Sequence, residues 1–208
     1  MRQFSKNKSI QILDNKNRIT MNMKYKKVGV MCGSSDACPE KYLDLAYNLG
    51  KFLAVNNQEI IYGGGAKGLM RKVADGALDN KGTVTGFMPE FMVQVEWQHP
   101  ELTNLFITKD MPERKFKMMN GSDATIFLPG GCGTMEEFFE WLTSKRLGHY
   151  LGPLIIFNFD GYYDPLIELL RKMEEEKFHN KIHNNMWSVC EHLDQLSDVF
   201  AKAPTWSK

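Results

Sequence analysis

One short segment contains glycine, threonine and glutamate residues that could bind an anion and cleave a bond next to it. It is Pro129-Gly130-Gly131-Cys132-Gly133-Thr134-Met135-Glu136-Glu137. Glycines leave backbone amides open to a ligand, and phosphate binds readily to amides at the start of a helix. The spacing predicts Thr134 as the helix N-cap, with Glu136 and Glu137 in the first turn. A carboxylate beside a bound phosphate ester could then act on the group that the ester carries.

The same segment also has a purely structural interpretation. Thr134 and Glu137 have the S/T-x-x-E spacing of a capping box, which would account for the start of the helix. It would not account for the Pro-Gly-Gly-x-Gly approach, which favours a bound phosphate. Cys132 could be a nucleophile, but no histidine flanks it, so covalent catalysis is disfavoured.

A second glycine-rich segment, residues 62–70, fits the pattern G-x-G-x-x-G. Its glycines could cradle an anion or could simply permit a tight turn between a strand and a helix. A Walker P-loop is excluded, because Leu69 follows Gly68 where that motif requires lysine.

These segments must be positioned by the elements around them. Short apolar runs predict strands at residues 28–31, 60–62, 83–88, 105–107, 124–128 and 154–157, and helical patterns separate most of them. The alternation predicts one α/β domain with a Rossmann-like three-layer fold, a parallel sheet with helices on both faces. Ligands of such sheets bind at the carboxyl ends of the strands, where both glycine segments fall.

Composition excludes several classes of protein. The chain has 208 residues, of which 43% are hydrophobic and 25% are charged, the balance of an ordinary globular domain. We expect no membrane partner, because no apolar run approaches the roughly 20 residues of a membrane-spanning helix. A net charge of +1 gives no basic field for nucleic acid. Four cysteines without C-x-x-C spacing favour a cytoplasmic protein.

The two ends of the chain carry weaker signals. Residues 1–26 are polar and basic, with Asp14 as their one acid, and predict a flexible tail before a domain at 27–208. His179 and His183 have helical spacing without a further ligand for a metal and are interpreted as polar surface. A terminal helix packed on the sheet is predicted from a set of apolar residues: Trp187, Leu193, Leu196, Val199 and Phe200.

Residues 129–137 match P-G-G-x-G-T-x-x-E, and the chain resembles the LONELY GUY family of cytokinin riboside 5′-monophosphate phosphoribohydrolases, often mislabelled as lysine decarboxylases. Further segments agree with that family in order and spacing between residues 27 and 178. They are Met31-Cys32-Gly33-Ser34-Ser35, Tyr62-Gly63-Gly64-Gly65 with Gly68-Leu69-Met70, Met111-Pro112-Glu113-Arg114-Lys115, and Asp160-Gly161-Tyr162-Tyr163.

The resemblance implies hydrolysis of the N-glycosidic bond of adenine-type nucleoside 5′-monophosphates, without a metal or other cofactor. Glu137 is the predicted catalytic carboxylate, because it could stabilise an oxocarbenium-like sugar and orient the attacking water. Arg114 is the second predicted catalytic residue, since a guanidinium can fork onto phosphate or ribose oxygens. The predicted substrate contacts are Ser34, Gly64, Gly65, Glu96, Lys115, Gly130, Gly131, Cys132, Gly133, Thr134, Met135, Glu136 and Thr143.

Some interpretations stay open at the level of sequence. Arg114 and Lys115 could be solvated surface charges, and Glu96 an ordinary exposed acid. Departures from the family pattern at Arg71 and at residues 144–146 leave the base undecided among prenylated adenine, plain adenine and another purine. A homodimer is predicted, because bulky groups lie on more than one side of the helix that carries Phe138, Phe139, Trp141 and Leu142.

Three other functions compete with the glycosidase at the level of sequence. The first is a non-catalytic carrier of a nucleotide or of the molybdenum cofactor, a class that resembles this chain in its P-G-G-x-G-T turn. The second is an NAD-dependent oxidoreductase with Glu90 on the ribose, although Pro89 precedes that residue and no hydride-transfer groups are evident. The third, lysine decarboxylation, has no candidate lysine for pyridoxal phosphate.

Overall fold

The computed structural model describes residues 11–13, 19–21, 23–93 and 97–206. Its strands are β1 (Gln11–Leu13), β2 (Ile19–Met21), β3 (Lys27–Met31), β4 (Glu59–Tyr62), β5 (Val84–Pro89), β6 (Asn104–Thr108), β7 (Ala124–Phe127), β8 (Leu154–Phe157) and β9 (Trp187–Cys190). Its helices are α1 (Glu40–Val55), α2 (Gly68–Leu78), α3 (Glu90–Val93), α4 (Met111–Asn120), α5 (Cys132–Arg146), α6 (Asp164–Glu175) and α7 (Leu196–Lys202).

Strands β3 to β9 form one parallel sheet in the order β6-β5-β4-β3-β7-β8-β9. Val28 of β3 lies opposite Ile60 of β4 on one side and opposite Ala124 of β7 on the other. The chain thus moves outward from β3 through β4, β5 and β6, and then continues on the opposite side of β3. This order confirms the predicted Rossmann-like α/β class.

Helices cover both faces of the sheet. Because side chains alternate along each strand, each strand contributes side chains to both faces. Val28 and Val30 point to a core shared with α1, α2 and α7, whereas Met31 points to the opposite core. That second core is shared with α4, α5 and α6, and its largest residue is Trp141. The three predicted layers are therefore confirmed.

The carboxyl-terminal part differs from the prediction. Trp187 does not belong to a terminal helix, because it begins β9 and pairs with Leu154 of β8. The apolar spacing was misleading since a four-residue edge strand is too short to show a period of two. The terminal helix covers only Leu196–Lys202, and its Leu196 and Phe200 are buried against the sheet as expected.

His179 and His183 are also not helical neighbours. Their rings lie 4.6 Å apart around a short 3-10 turn, where His183 Nδ1 accepts a hydrogen bond from the Asn180 amide. Burial lowers the pKa of both imidazoles.

The packed part of the chain reaches back beyond the predicted boundary at residue 27. Met23 is buried, and the Tyr25 ring lies 5.6 Å from that of Phe200. Within the predicted tail, β1 and β2 pair as an antiparallel ribbon. The rest of residues 1–22 lies outside the described part of the chain.

Candidate active site

The point where the strand order reverses lies between β3 and β7, and the loops after these strands meet there. The Gly33 amide donates to the Pro129 carbonyl at 3.0 Å. A Cβ on Gly33 would lie only 3.2 Å from the Gly130 Cα, so the two loops are in direct backbone contact. Open α/β sheets bind their ligands in the crevice at this reversal of strand order.

A cavity of about 570 Å³ opens at this position, and we call it the switch-point cleft. It is lined by residues from the carboxyl ends of β3, β4, β5 and β7 together with side chains from α4 and α5. They are Cys32, Gly33, Ser34, Gly63, Gly65, Ala66, Lys67, Met70, Met88, Met92, Trp97, Arg114, Gly131, Cys132, Gly133, Thr134 and Glu137.

Helix α5 begins at the cleft earlier than the sequence predicts. Its N-cap is Gly131, with no side-chain capping bond, so the predicted Thr134 N-cap and Thr134–Glu137 capping box are wrong. Glycine at the N-cap lets the helix start at Cys132, which moves Glu136 and Glu137 out of the first turn. Within the described chain the amides of residues 131–134 have no acceptor, as expected at the start of a helix.

Space around this helix start is left open by two of its glycines. A Cβ on Gly131 or on Gly133 would meet nothing within 4 Å. By contrast, a Cβ on Gly130 would lie 2.1 Å from Thr134 Oγ1, so Gly130 is required by the packing of the turn. The turn is therefore tightly packed at Gly130 and sterically open at Gly131 and Gly133.

Arg114 and Glu137 form a buried ion pair beside these amides. Each residue is 8% exposed, and Arg114 Nη1 lies 3.4 Å from Glu137 Oε1. Arg114 Nε donates to the Phe87 carbonyl at 3.0 Å, which fixes the guanidinium between α4 and β5. A Cβ on Gly63 would lie 1.9 Å from Arg114 Nη2, so glycine at this position makes room for the arginine.

Burial raises the pKa of the Glu137 carboxyl, while the Arg114 guanidinium opposes that shift. The Cys32 thiol, on the floor of the cleft, has its pKa raised by burial and by the Glu137 charge. Glu137 is thus a desolvated carboxylate with a cation beside it, an arrangement typical of groups that exchange protons or stabilise developing charge.

The second glycine-rich segment, residues 62–70, serves a structural purpose at the start of α2. The Gly68 amide donates to the Asp36 carboxylate at 2.8 Å and the Leu69 amide donates to the Gly33 carbonyl at 3.0 Å. The start of α2 is therefore already capped from within the chain. Gly64 has a φ of +80°, a conformation that favours glycine, and Gly65 lines the cleft.

Six of the described predicted contacts do not line the cleft: Gly64, Lys115, Gly130, Met135, Glu136 and Thr143. Lys115 forms ion pairs with Glu136 and Glu140, the latter at 2.5 Å. Lys115, Glu136 and Thr143 line a second depression of about 1090 Å³, which we call the outer groove. Met135 instead packs against the core, and the contact roles of all these residues stay predictions.

Sequence reasoning missed the apolar wall of the cleft, formed by Met70, Met88, Met92 and Trp97. The only signal for it was an aromatic residue within a polar loop. The backbone of this loop is anchored, because the Ala66 amide donates to the Trp97 carbonyl at 2.9 Å. Glu96, the neighbouring predicted contact, lies outside the described residues.

In the ranges that the structure describes, no group of three or more His, Cys, Asp or Glu side chains is placed to hold a metal ion. No helix in the same ranges combines the length and apolar character needed to cross a bilayer.

The fold and the cleft define a doubly wound α/β protein with a glycine-rich turn and an open helix start at its switch point. The family model described as "Possible lysine decarboxylase" matches residues 70–200. The chain belongs to this family.

Curated relatives carry a different activity in their names. Cytokinin riboside 5′-monophosphate phosphoribohydrolase of Rhodococcoides fascians is 38% identical over 170 residues, which cover 81% of this chain and 86% of that protein. An Arabidopsis thaliana enzyme of the same name is 37% identical over 155 residues, covering 74% and 72% of the two chains.

Solved structures with the same fold include carriers. The molybdenum cofactor carrier protein of Chlamydomonas reinhardtii matches with a TM-score of 0.62 at 19% identity, over 86% of this chain and 98% of the carrier. The molybdenum cofactor binding protein of Rippkaea orientalis matches with a TM-score of 0.63 at 20% identity, over 86% and 97%. These likenesses establish the fold alone.

Proposed function

We propose that this chain is an N-glycosidase that hydrolyses nucleoside 5′-monophosphates with an adenine-type base to free base and ribose 5-phosphate. The observation that carries the proposal is the buried Arg114–Glu137 pair beside the open amides of α5, within one cleft. The names of the curated relatives support the same reaction.

The phosphate is assigned to the start of α5. Amides that lack an acceptor, together with the positive end of the helix dipole, favour a dianion at this position. Gly131 and Gly133 leave it sterically open, and the Thr134 hydroxyl lies in the same cleft. Binding energy from the phosphate can then position the sugar for cleavage.

The sugar is assigned to the space beside Glu137. Breaking the glycosidic bond develops positive charge on the ribose, which an ionised carboxylate stabilises more strongly in a desolvated cleft than in water. The same carboxylate can orient and deprotonate the attacking water. The Arg114 guanidinium counteracts the rise in the Glu137 pKa that burial causes, and it offers a second guanidinium nitrogen to ribose or phosphate oxygens.

The base is assigned to the wall formed by Met70, Met88, Met92 and Trp97. An indole can stack on a purine, and flexible methionine side chains adapt to an apolar substituent on the base. This wall supports an adenine-type base.

We further propose a cytoplasmic homodimer. The four cysteines are all free thiols, which suits a reducing compartment. Three of the four bulky side chains that suggested a dimer, Phe138, Trp141 and Leu142, are buried within the subunit. Support for the dimer comes instead from the outer groove, which is lined by Phe139 and by the exposed Phe116.

Incubation of the purified chain with adenosine 5′-monophosphate and with isopentenyladenosine 5′-monophosphate tests the activity, with release of free base measured by chromatography. Glu137→Gln should lower kcat by at least about 100-fold, the scale of a lost acid–base group. Glu140→Gln is the matched control, because this carboxylate lies one turn further along α5 in the outer groove.

Release of no base from either nucleotide by the unmodified chain would contradict the proposal. Turnover by Glu137→Gln equal to that of Glu140→Gln would instead remove Glu137 from the catalytic role. Tight binding of a nucleotide without its consumption would favour the carrier function.

A further inference from the structure

Two consecutive tyrosines lie behind the anion-binding turn. Tyr162 and Tyr163 follow β8, the neighbour of β7 in the sheet, so the loops after both strands meet at the same edge. Tyr162 Oη donates to the Gly130 carbonyl at 2.7 Å, and Tyr163 Oη donates to the Leu128 carbonyl at 2.6 Å. Neither tyrosine lines the switch-point cleft.

Every carbonyl from Leu128 to Gly130 accepts a hydrogen bond from outside the turn, because the Gly33 amide donates to the Pro129 carbonyl. The backbone oxygens are thereby held on the packed side of the turn. In an anion site this matters, since a carbonyl rotated towards the ligand would repel the anion that the amides attract.

The Gly130–Gly131 peptide is the part of the turn most in need of such a restraint. It lies between two residues without Cβ atoms, and glycine has the widest backbone freedom. In a trans peptide the C=O and N–H groups point in opposite directions. The Tyr162 hydroxyl on the Gly130 carbonyl therefore directs the Gly131 amide to the other side, and Gly131 lines the cleft.

The same hydrogen bond also strengthens the amide as a donor. A hydrogen bond to a peptide carbonyl polarises the whole peptide group, so its N–H becomes a better donor to a second partner. The Tyr163 bond has no such effect, because the Leu128 carbonyl shares its peptide group with Pro129, which has no N–H. Both tyrosines thus donate a hydrogen bond to the turn, but only the bond from Tyr162 strengthens an amide donor.

We propose that Tyr162 is a positioning residue for the phosphate site, its hydroxyl fixing the Gly130–Gly131 peptide so that the Gly131 amide binds the phosphoryl group. The proposal rests on the proposed function for the identity of the anion. The ring is fixed for this role, since it packs edge-on against Tyr42 at 5.6 Å and against Tyr163 at 4.9 Å.

The test compares Tyr162→Phe, Tyr162→Leu and Tyr163→Phe with the unmodified chain. Two quantities are measured: the Kd of adenosine 5′-monophosphate by calorimetry, and KM and kcat where turnover is present. Tyr162→Phe should raise Kd and KM about five-fold, as expected for one lost hydrogen bond, with kcat changed less than about two-fold. Tyr162→Leu should show the same loss or a larger one.

Tyr163→Phe is the matched control, because it removes a hydroxyl bonded to the same turn. Its melting temperature should fall, since the lost bond is buried, whereas its Kd should stay within about two-fold of the unmodified chain. A folded Tyr162→Phe variant with unchanged Kd, or an affinity loss confined to Tyr162→Leu, would overturn the proposal in favour of simple ring packing.

The outcome is separable from that of the glycosidase proposal. If the unmodified chain binds the nucleotide without cleaving it and Tyr162→Phe weakens that binding, the positioning role stands and the glycosidase fails. If the unmodified chain cleaves the nucleotide and Tyr162→Phe binds it equally well, the glycosidase stands and the positioning role of Tyr162 fails. If the unmodified chain neither binds nor cleaves it, both proposals fail.

Discussion

Trp97 offers a way to separate recognition of the base from recognition of the phosphate. Its side chain lines the cleft on the wall that also contains Met88 and Met92, whereas the open amides are on α5. The indole is about half exposed, and only its backbone is held by hydrogen bonds, through Ala66. Removal of the ring should therefore leave the fold intact.

We expect Trp97→Ala to raise the KM for adenosine 5′-monophosphate about ten-fold, because stacking of a base on an aromatic ring contributes about 1–3 kcal/mol. Inhibition by ribose 5-phosphate, which has no base, should keep the same Ki. The measurement is steady-state kinetics with and without the inhibitor. An equal loss of affinity for both molecules would mean that Trp97 shapes the whole cleft and does not contact the base.

The sequence singled out Arg114 and Glu137, which the structure brings together in the cleft, but not their surroundings, and their catalytic roles stay predictions. Both belong to short motifs whose residue types already suggest chemistry. The apolar wall was missed because Met70 on α2, Met88 on β5 and Trp97 in a loop are far apart in sequence, and their meeting depends on strand order. Thr134 is not the N-cap, because glycine can also begin a helix and Gly131 does so three residues earlier.

At the scale of an element, α5 carries an unusual buried cation at its far end. Lys145 is 1% exposed, and its Nζ donates to the Gly152 carbonyl at 2.5 Å. No carboxylate pairs with it in the described residues. Burial lowers the pKa of this lysine to about 8. The charged form is therefore a cost to the fold at neutral pH.

We expect Lys145→Met to raise the free energy of unfolding by about 2 kcal/mol at pH 7. A pKa change from 10.5 to about 8 corresponds to about 3 kcal/mol, and the lost hydrogen bond to Gly152 offsets about 1 kcal/mol. Methionine keeps most of the apolar stem in place. Urea denaturation of the variant and the unmodified chain measures the difference.

The sign of the pH dependence is fixed by the lowered pKa. Below about pH 8 both the folded and the unfolded chain carry the charged lysine, so the folded state bears the full cost. Between about pH 8 and 10.5 only the folded state loses the proton, and the cost declines. The advantage of Lys145→Met should therefore shrink towards zero near pH 10. A difference that stays constant from pH 7 to pH 10 would contradict this account.

Prediction of the elements succeeded where the apolar pattern was long enough. Helix α1 spans four turns, and its buried Leu45, Leu49 and Leu53 follow the predicted stripe. Strand β9 has only four residues and one buried side chain, Cys190, so its identity depends on pairing with β8. Such tertiary pairing is not encoded in any local period.

At the scale of the whole molecule, one edge of the sheet is left uncovered by the residues that the structure describes. Parallel strands are normally buried on both faces, yet β6 exposes Leu105 and Ile107 on one face and Phe106 on the other. Phe116 on α4 is 66% exposed and lines the outer groove. Exposed apolar side chains of this size are typical of an interface.

We expect Phe116→Glu to convert the proposed homodimer into monomers, because a charge buried without a partner at an interface costs several kcal/mol. Sedimentation velocity over a range of concentrations measures the association state. Phe178→Glu is the control, since Phe178 is 84% exposed after the end of α6 and does not line the outer groove. A monomeric unmodified chain, or a Phe116→Glu dimer as stable as that of Phe178→Glu, would show that no second copy covers this surface.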